Sequence, residues 1–364
     1  MFKTNLSTRE KEQFVDDGFI VIKNAISSEA VELAKNLLSA QKLVDDRQLL
    51  VTPELTTHPS ILGLFNESCL ADILRNEMGP YPDVISCQIA VTPPFDRLGG
   101  EPAPHVDGSW SGPIPQTMSE IDPITTRPKN SEKYFGVNDE IRGANDGQLW
   151  IDPDRRMSIG SYTALVGVAL NDQLVPGNGQ LAVIKGCHEV VEEAFKKQRD
   201  SGGVIGPEGL DWPRIKASKN GKPFYNGLPD QVREEAYRMA KDKPATEDWP
   251  WPELTPVLLE AGDATVVLHS CPHTPTPNFG PNPRMNIYFR IRKQRKENPH
   301  EGSRRLGHGV SDHLDRGYFG QFLQYPDSYD PWQTSIDKLC DHWSEWDGFK
   351  KLIQEKKQIA SSLQ

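Results

Sequence analysis

The stretch "GDATVVLHSCPHTPTPNFGPNPRMNIYFRI", residues 262–291, decides the fold of this chain. Gly262 and Asp263 are turn residues, and the apolar, β-branched run 264–268 that follows them predicts a short buried strand. A proline-rich loop comes next, and a second strand-like run then begins at Arg284. Short buried strands separated by turn residues are typical of antiparallel β-sheets.

Runs of the same character occur throughout the middle of the chain. They are "VISCQIAVTPP" (84–94), "SYTALVGVALND" (161–172), "GQLAVIKG" (179–186), "VLLEAGDATVVLH" (257–269) and "RMNIYFRIR" (284–292). Turn residues separate these runs, which indicates an antiparallel sandwich or barrel. We therefore predict a mainly β core over about residues 84–292, with helices packed outside it, that is, an α+β fold.

The first part of the chain, residues 1–80, reads as helical. Ser7 and Glu10 form a capping box that opens a short helix, and Gly18 ends it. The run "FIVI" (19–22) predicts a buried strand, and Ser27 caps a second helix. A third amphipathic helix is predicted over 61–79.

Two long stretches interrupt the β pattern. Residues 110–150 are polar and poorly periodic, and residues 197–255 combine a predicted helix with loops. Insertions in a β domain form either lids and substrate walls or decoration without a role. With a C-terminal extension at 293–364, the chain is predicted to be one domain, 1–364.

Composition narrows the class of partner. The net charge of −10 disfavours nucleic acid, although "RIRKQRK" (290–296) is either a solvated surface or a contact for an anionic substrate. The five cysteines are scattered without a CxxC spacing, as expected for reduced thiols. No signal core, membrane span or peroxisomal address is found, so we expect a cytoplasmic protein that binds a small molecule and no membrane. It is either a monomer or a homo-oligomer.

The residues that carry chemistry begin at "HVD", 105–107. In a strand, His105 and Asp107 point to the same face and can share one metal ion. Either His269 or His273 follows a different predicted strand and supplies a second imidazole. Two histidines and one carboxylate leave open positions that suit Fe(II) oxygen chemistry. Arg284, in the next strand, offers a two-pronged clamp for a carboxylate, which points to 2-oxoglutarate as co-substrate.

With these residues the chain resembles the phytanoyl-CoA dioxygenase family of Fe(II)/2-oxoglutarate-dependent oxygenases. Three motifs carry the resemblance, in the family's order over roughly residues 8–292: "EQFVDDGFIVIKNAIS", "NDQLVPGNGQLAVIKGCHE" (171–189), and the H-x-D pair combined with the later "GD…H…R". The resemblance implies a double-stranded β-helix core, of the jelly-roll or cupin type. It also implies an enzyme.

The family's spacing implies roles for individual residues. The distal histidine lies eleven residues after the Gly-Asp glycine, and the arginine lies eleven further on. Counting from Gly262 reaches His273 and then Arg284. The resemblance therefore implies that His105, Asp107 and His273 are the metal ligands and catalytic residues, with Arg284 on 2-oxoglutarate. His269 is the second choice as ligand; otherwise it lines the pocket or is a packed structural histidine.

Other assignments follow from the resemblance and from departures from it. Gln88 matches a glutamine that reaches toward the co-substrate in some relatives, or it is an ordinary strand residue. The chain lacks the serine that many relatives carry near the arginine, so Thr274, Thr276 or Asn286 is expected to supply a hydroxyl or amide instead. His188, in the signature turn, is expected to hydrogen-bond a loop. Trp110 opens the chain's own insertion and, with His269, is a candidate substrate contact.

The implied activity is oxidation of an unactivated C–H bond of a small organic molecule, while 2-oxoglutarate is converted to succinate and CO2 by O2. Hydroxylation is the default outcome, and desaturation or ring closure uses the same chemistry. Secondary-metabolite or small carboxylic-acid and amino-acid metabolism are the expected settings. The alternatives are a ligand-binding β-sandwich without catalysis and a zinc hydrolase on the same three ligands, which would leave Arg284 unexplained.

Overall fold

The fold is seen in a computed structural model of the 364-residue chain. The structure describes residues 3–41, 43–44, 48–49, 53–81, 84, 87–94, 102–106, 148–149, 157–158, 163–201, 210–212, 228–291, 293 and 339–362. Within these ranges, antiparallel sheets combine with helices, as predicted for an α+β fold.

The described helices and strands are numbered here in chain order. The α-helices are α1 Thr8–Asp17, α2 Ser28–Ser39, α3 Pro53–Thr56, α4 Pro59–Asn66, α5 Cys69–Glu77, α6 Cys187–Asp200, α7 Asp230–Asp242 and α8 Lys350–Ser362. The strands are β1 Phe19–Ile22, β2 Leu43–Val44, β3 Gln48–Leu49, β4 Gln88–Thr92, β5 Gln148–Leu149, β6 Met157–Ser158, β7 Ala164–Ala169, β8 Leu181–Val183, β9 Thr255–Pro256, β10 Ala264–Leu268, β11 His273–Pro275 and β12 Arg284–Ile291.

The larger sheet has five strands in the order β1-β10-β7-β12-β4, and every neighbouring pair is antiparallel. The two ends of the predicted stretch 262–291 thus become β10 and β12, which lie on either side of β7. The N-terminal strand β1 adds to the edge of β10, with Ile20 opposite Val266. The sheet is therefore assembled by pairings between segments that lie far apart in the chain.

The two faces of this sheet differ in chemistry, although both are buried. On β12, Ile287 and Phe289 point to one face, and the Phe289 ring lies 5.5 Å from Phe65 of α4. Burying side chains of this size stabilises the fold by roughly 1.5–3 kcal/mol each. The alternate β12 positions carry polar side chains and point to the other, inner face; they are Arg284, Asn286, Tyr288 and Arg290.

A smaller sheet, in the order β11-β8-β9, lies near the inner face. Ala182 and Ile184 point away from the large sheet into a second apolar cluster, which contains side chains from α6 and α7. Leu181 and Val183 belong instead to the main core. Inner-face residues of β12 contact the 171–180 segment that leads into β8, as detailed below. The space near these contacts is where the candidate site lies.

The C-terminal segment packs on α1 through aromatic rings. Phe14 makes edge-on contacts with Trp343, Trp346 and Phe349, with ring centroids 5.4, 5.1 and 5.6 Å apart. Such geometry contributes about 0.5–1.5 kcal/mol per pair beyond the area buried. Trp343, Trp346 and Phe349 are therefore part of the main core.

Most local predictions for the N-terminal part are confirmed. Ser7 and Glu10 form the capping box, Gly18 ends α1 with a φ of +78°, and Ser27 caps α2. The single helix predicted over 61–79 is wrong, because two helices, α4 and α5, occupy this range. The Ser68 hydroxyl accepts a hydrogen bond from the Leu70 backbone N–H, which starts a new helix there.

All five cysteines are buried and none forms a disulfide. This agrees with the expectation of reduced thiols. Among the described residues, no helix combines the length and apolar character that crossing a bilayer requires.

Candidate functional site

The site is built around a pair of histidines on adjoining segments. His105 and His273 pair in antiparallel fashion and exchange both backbone hydrogen bonds, each with an N···O distance of 3.0 Å. Residues that are directly opposite in an antiparallel pair point to the same face. Their imidazole rings accordingly lie 5.0 Å apart between centroids. His273 is also paired with Val183 of β8, so it points to the side of the small sheet that belongs to the main core.

Each of these rings is oriented by a backbone carbonyl two residues earlier in the chain. The Nδ1 atom of His105 lies 2.9 Å from the Ala103 oxygen, and the Nδ1 atom of His273 lies 2.9 Å from the Cys271 oxygen. A carbonyl oxygen only accepts, so Nδ1 must carry the proton in both rings. The lone pair then resides on Nε2, and a carbonyl bond of this kind is what orients histidines that bind metals.

The thiol of Cys271 stays out of this chemistry. It is fully buried, and burial raises its pKa well above the usual range. Its sulfur packs against Gly18 at the end of α1. The contribution of Cys271 to the site is therefore its backbone carbonyl.

Arg284, at the start of β12, is a buried cation, with only 3% of its surface exposed. Its Nε atom donates to the Gly179 oxygen at 2.6 Å, and Nη1 lies 3.5 Å from the Ala90 oxygen. Among the described residues no carboxylate pairs with it. Since a guanidinium has five N–H donors, most of its capacity is left for another acceptor. A buried cation without an anionic partner is energetically costly.

Gly179 lets the guanidinium approach the loop before β8. Its φ is +76°, a conformation that glycine adopts without strain. A Cβ here would lie 3.0 Å from the Cβ of Asn278 and 3.4 Å from that of Arg284. Glycine at this position of the "NGQ" motif therefore has a packing reason as well as a conformational one.

Asn286 and Gln88 lie on the same inner face as Arg284. Asn286 is buried; its Oδ1 accepts from Gln173 Nε2 at 2.5 Å, and its Nδ2 donates to the Tyr288 hydroxyl at 2.9 Å. Gln88 is half-buried and accepts from Arg290 Nη1 at 2.8 Å. The interactions shown for Asn286 engage both its oxygen and its nitrogen, whereas those shown for Gln88 leave its amide nitrogen available.

Thr274 lies on the other face of β11 from His273, opposite Ala182. Its hydroxyl accepts from the Ala103 N–H at 3.1 Å and donates to the Pro275 carbonyl. Thr276 donates to the Gln180 carbonyl at 2.7 Å. The bond between Thr274 and Ala103 fixes the segment that carries His105 to the strand that carries His273, which favours a positioning role for Thr274 over the predicted co-substrate contact.

His269 and His188, the other two histidines considered in the sequence analysis, lie elsewhere in the fold. His269 is buried in the turn between β10 and β11. His188, at the start of α6, lies 2.8 Å through Nε2 from the Val15 carbonyl, and its other nitrogen packs against Gly18. Burial is the main cause that lowers the pKa of His188 to about 3, so the ring is neutral and structural.

Several predicted residues lie outside the described part of the chain. These are the third metal ligand Asp107, the candidate substrate contact Trp110 and most of the 110–150 insertion. Their roles remain predictions from the sequence.

Sequence reasoning missed Gln173 and Tyr288, which complete the hydrogen-bonded chain on the inner face. A signal was present in "RMNIYFRI", where polar and apolar side chains alternate. In a buried strand such alternation indicates one face that is polar but not solvated, which makes its side chains candidates for a binding site.

Neither a protein-family model nor the sequence of a curated protein matches the chain. Solved structures that resemble it include HygX from Streptomyces hygroscopicus with nickel and 2-oxoglutarate bound, at a TM-score of 0.42 and 15% identity over 79% of this chain and 88% of that chain. EctD from S. alaskensis with 2-oxoglutarate and 5-hydroxyectoine has a TM-score of 0.43 and 18% identity over 79% and 76%. The non-heme alpha ketoglutarate dependent carbocyclase SnoK from nogalamycin biosynthesis has a TM-score of 0.36 and 14% identity over 80% and 87%. Likeness at this level leaves the chemistry of the site to be decided by its own residues.

Proposed function

We propose that the chain is an Fe(II)- and 2-oxoglutarate-dependent oxygenase of the phytanoyl-CoA dioxygenase type, acting on a small organic molecule. One observation carries the proposal. Two histidines, held side by side with their Nδ1 atoms on carbonyls, occur in the same core as a buried arginine that has no carboxylate partner among the described residues. This combination fits a metal together with an anionic co-substrate.

The donor set fits Fe(II). Nε2 of His105 and Nε2 of His273 would be two ligands, and Asp107, two positions after His105, would be the third. Two imidazoles and one carboxylate form the facial triad of non-haem iron oxygenases, which keeps positions open for other ligands. The carbonyls of Ala103 and Cys271 would hold the two rings in the tautomer that the metal requires.

The co-substrate would be held by the inner face of the large sheet. The Arg284 guanidinium would pair with the distal carboxylate of 2-oxoglutarate, and burial strengthens this charge-assisted bond because water competes little there. Gln88, whose oxygen is already used by Arg290, would present its amide nitrogen toward the co-substrate or substrate. Trp110 and His269 stand as candidate substrate contacts.

When bound at these residues, iron and 2-oxoglutarate supply dioxygen activation, so that one oxygen atom is consumed in converting 2-oxoglutarate to succinate and CO2 and the other oxidises the substrate. The role of the chain is to bind, orient and exclude water, since the cofactor carries the hard chemistry. His273, Arg284 and Gly179 are buried or packed within the core and can hold this geometry without solvent. Hydroxylation is the default outcome, with desaturation or ring closure as variants of it.

Two measurements test the proposal. Without oxygen, adding 2-oxoglutarate to the Fe(II)-loaded protein should produce a visible metal-to-ligand charge-transfer band. With oxygen, the same protein should form succinate, at a rate that rises when a substrate from a small-molecule panel is present. Asp107→Ala should abolish succinate formation. Absence of the band would overturn the proposal and leave the zinc hydrolase and the non-catalytic binding protein as its rivals.

A further inference from the structure

The inner face of β12 carries one polar side chain whose role the sequence did not predict. Tyr288 shares that face with Arg284 and Asn286, because successive even positions of the strand point the same way. Its surface is 7% exposed, and its hydroxyl lies 2.9 Å from Asn286 Nδ2. The phenol thus reaches back along the strand in the direction of Arg284.

Gly167 makes room for this ring. It lies directly opposite Tyr288 on β7, and a Cβ at Gly167 would be 2.7 Å from Cε1 of the tyrosine. Real Cβ atoms do not approach so closely, so the ring lies against the backbone of the sheet where a side chain would otherwise stand. The position of the hydroxyl is therefore set by packing.

The direction of the hydrogen bonds can be worked out from one carbonyl. Gln173 lies with Nε2 3.3 Å from the Asn171 oxygen, and a carbonyl oxygen cannot donate, so this end of the amide is assigned as the nitrogen, while Oε1 is buried without a partner among the described residues. The same Nε2 then donates to Asn286 Oδ1 at 2.5 Å. Asn286 must consequently turn its nitrogen toward Tyr288 and donate to the phenol oxygen.

The phenol oxygen is therefore an acceptor in this chain, and its own proton is left to donate elsewhere. Among the described residues no acceptor for it is found. A buried hydroxyl without an acceptor is energetically unfavourable, which favours a ligand as the missing partner.

Thr274, Thr276 and Asn286 are the residues that could replace the serine that many relatives carry near the arginine. Each of them already makes hydrogen bonds within the protein. Thr274 points to the opposite face, the Thr276 hydroxyl donates to the Gln180 carbonyl, and Asn286 uses its oxygen and one of its two N–H donors within the protein. Of the candidates on the inner face, Tyr288 is the hydroxyl that has a proton to donate.

We propose that Tyr288 is a second donor to the distal carboxylate of the co-substrate, beside Arg284, with Gln173 and Asn286 as positioning residues that keep its proton turned toward the ligand. This inference rests on the proposed function. Its consequence is specificity: the pocket would discriminate between 2-oxoglutarate and a keto acid that lacks the distal carboxylate by more than the arginine alone provides.

The test compares two ligands on the Mn(II)-loaded protein without oxygen, by titration calorimetry. The ligands are 2-oxoglutarate and 2-oxopentanoate, which carries a methyl group in place of the distal carboxylate. Tyr288→Phe should weaken 2-oxoglutarate about 10-fold or more, the usual effect of deleting a hydrogen bond to a charged group, and leave 2-oxopentanoate within about 2-fold. Tyr81→Phe, which removes a buried hydroxyl bonded to the Ala71 carbonyl in the N-terminal part, should change neither.

A second variant checks the direction of the chain. Gln173→Leu keeps the phenol but frees Asn286 to turn its oxygen toward Tyr288, so it should also weaken 2-oxoglutarate selectively. Equal weakening of both ligands by Tyr288→Phe would show a structural role and overturn the assignment, as would unchanged 2-oxoglutarate affinity in that variant. If the wild-type protein binds 2-oxopentanoate and 2-oxoglutarate alike, Arg284 and Tyr288 both lose their proposed role. If it binds neither, the proposed function itself fails.

Discussion

His105 and His273 are direct neighbours across an antiparallel pair, and each donates its backbone N–H to the carbonyl of the other at 3.0 Å. Their rings lie 5.0 Å apart between centroids, and each is oriented by the backbone and by a backbone carbonyl. A ligand pair that is positioned in advance loses little entropy when it binds a metal.

Removing either histidine should abolish tight metal binding. Since outer-shell partners alone are worth about 10–100-fold in metal affinity, His105→Ala and His273→Ala should each lower Fe(II) affinity by at least about 100-fold. Anaerobic metal titration measures the loss. His58→Asn is the matched control: His58 caps α4 by accepting from the Ser60 N–H, which asparagine can also do. Wild-type affinity in His105→Ala would remove that residue from the site.

Replacing Arg284 should abolish the binding of 2-oxoglutarate without lowering the stability of the ligand-free protein. Arg284→Met removes a buried charge that has no ion-pair partner among the described residues, so the free energy of unfolding without ligand should stay the same or rise. The increase in Tm that saturating 2-oxoglutarate gives the Mn(II)-loaded wild type should disappear. Thermal unfolding with and without the ligand measures both effects. A ligand-induced increase of wild-type size in the variant would mean that another residue holds the carboxylate.

A methyl group at Gly167 should be poorly tolerated. It would lie 2.7 Å from the Tyr288 ring, and overpacking of this kind typically lowers the free energy of unfolding by about 1–3 kcal/mol. Gly63→Ala, inside α4, is the control. A Cβ at Gly63 would have no neighbour nearer than 3.4 Å, so this substitution should stabilise the protein by up to about 1 kcal/mol. Urea unfolding compares the two variants. Equal stabilities would show that the Tyr288 ring moves freely from its place.

The neutral state of His188 should make stability depend on pH. Its pKa is lowered from 6.5 to about 3 in the folded protein, chiefly by burial, so the unfolded chain binds a proton that the folded chain does not. This contribution is present above pH 6.5 and is lost as the pH falls from 6.5 toward 3, by up to about 1.4 kcal/mol per pH unit.

His188→Gln removes this titration while an amide can still donate to the Val15 carbonyl. The wild type should therefore lose more stability than the variant between about pH 7.5 and about pH 5, as measured by urea unfolding at both values. A stability difference that stays constant over this range would contradict a buried neutral His188.

Local features of the fold were predictable from short stretches of sequence. The capping box at Ser7 and Glu10 and the turn at Gly18 depend on residues three to eleven positions apart. The structure contains both features. The helix over 61–79 failed for an equally local reason, since the periodicity continues through Ser68 although its hydroxyl caps a new helix. Hydrophobic spacing alone does not register a cap inside an apolar run.

For the candidate site, the sequence by itself determined the candidates: the imidazoles of His105 and His273, with His269 as second choice, the carboxylate of Asp107 and the guanidinium of Arg284. Only the tertiary structure decided that the two histidines face each other with their Nδ1 atoms on backbone carbonyls, and that Thr274 points away while Tyr288 points inward. The physical reason is sheet register. A shift of one residue in the pairing of distant strands would move every side chain to the other face, and neighbouring residues in the sequence do not specify that pairing.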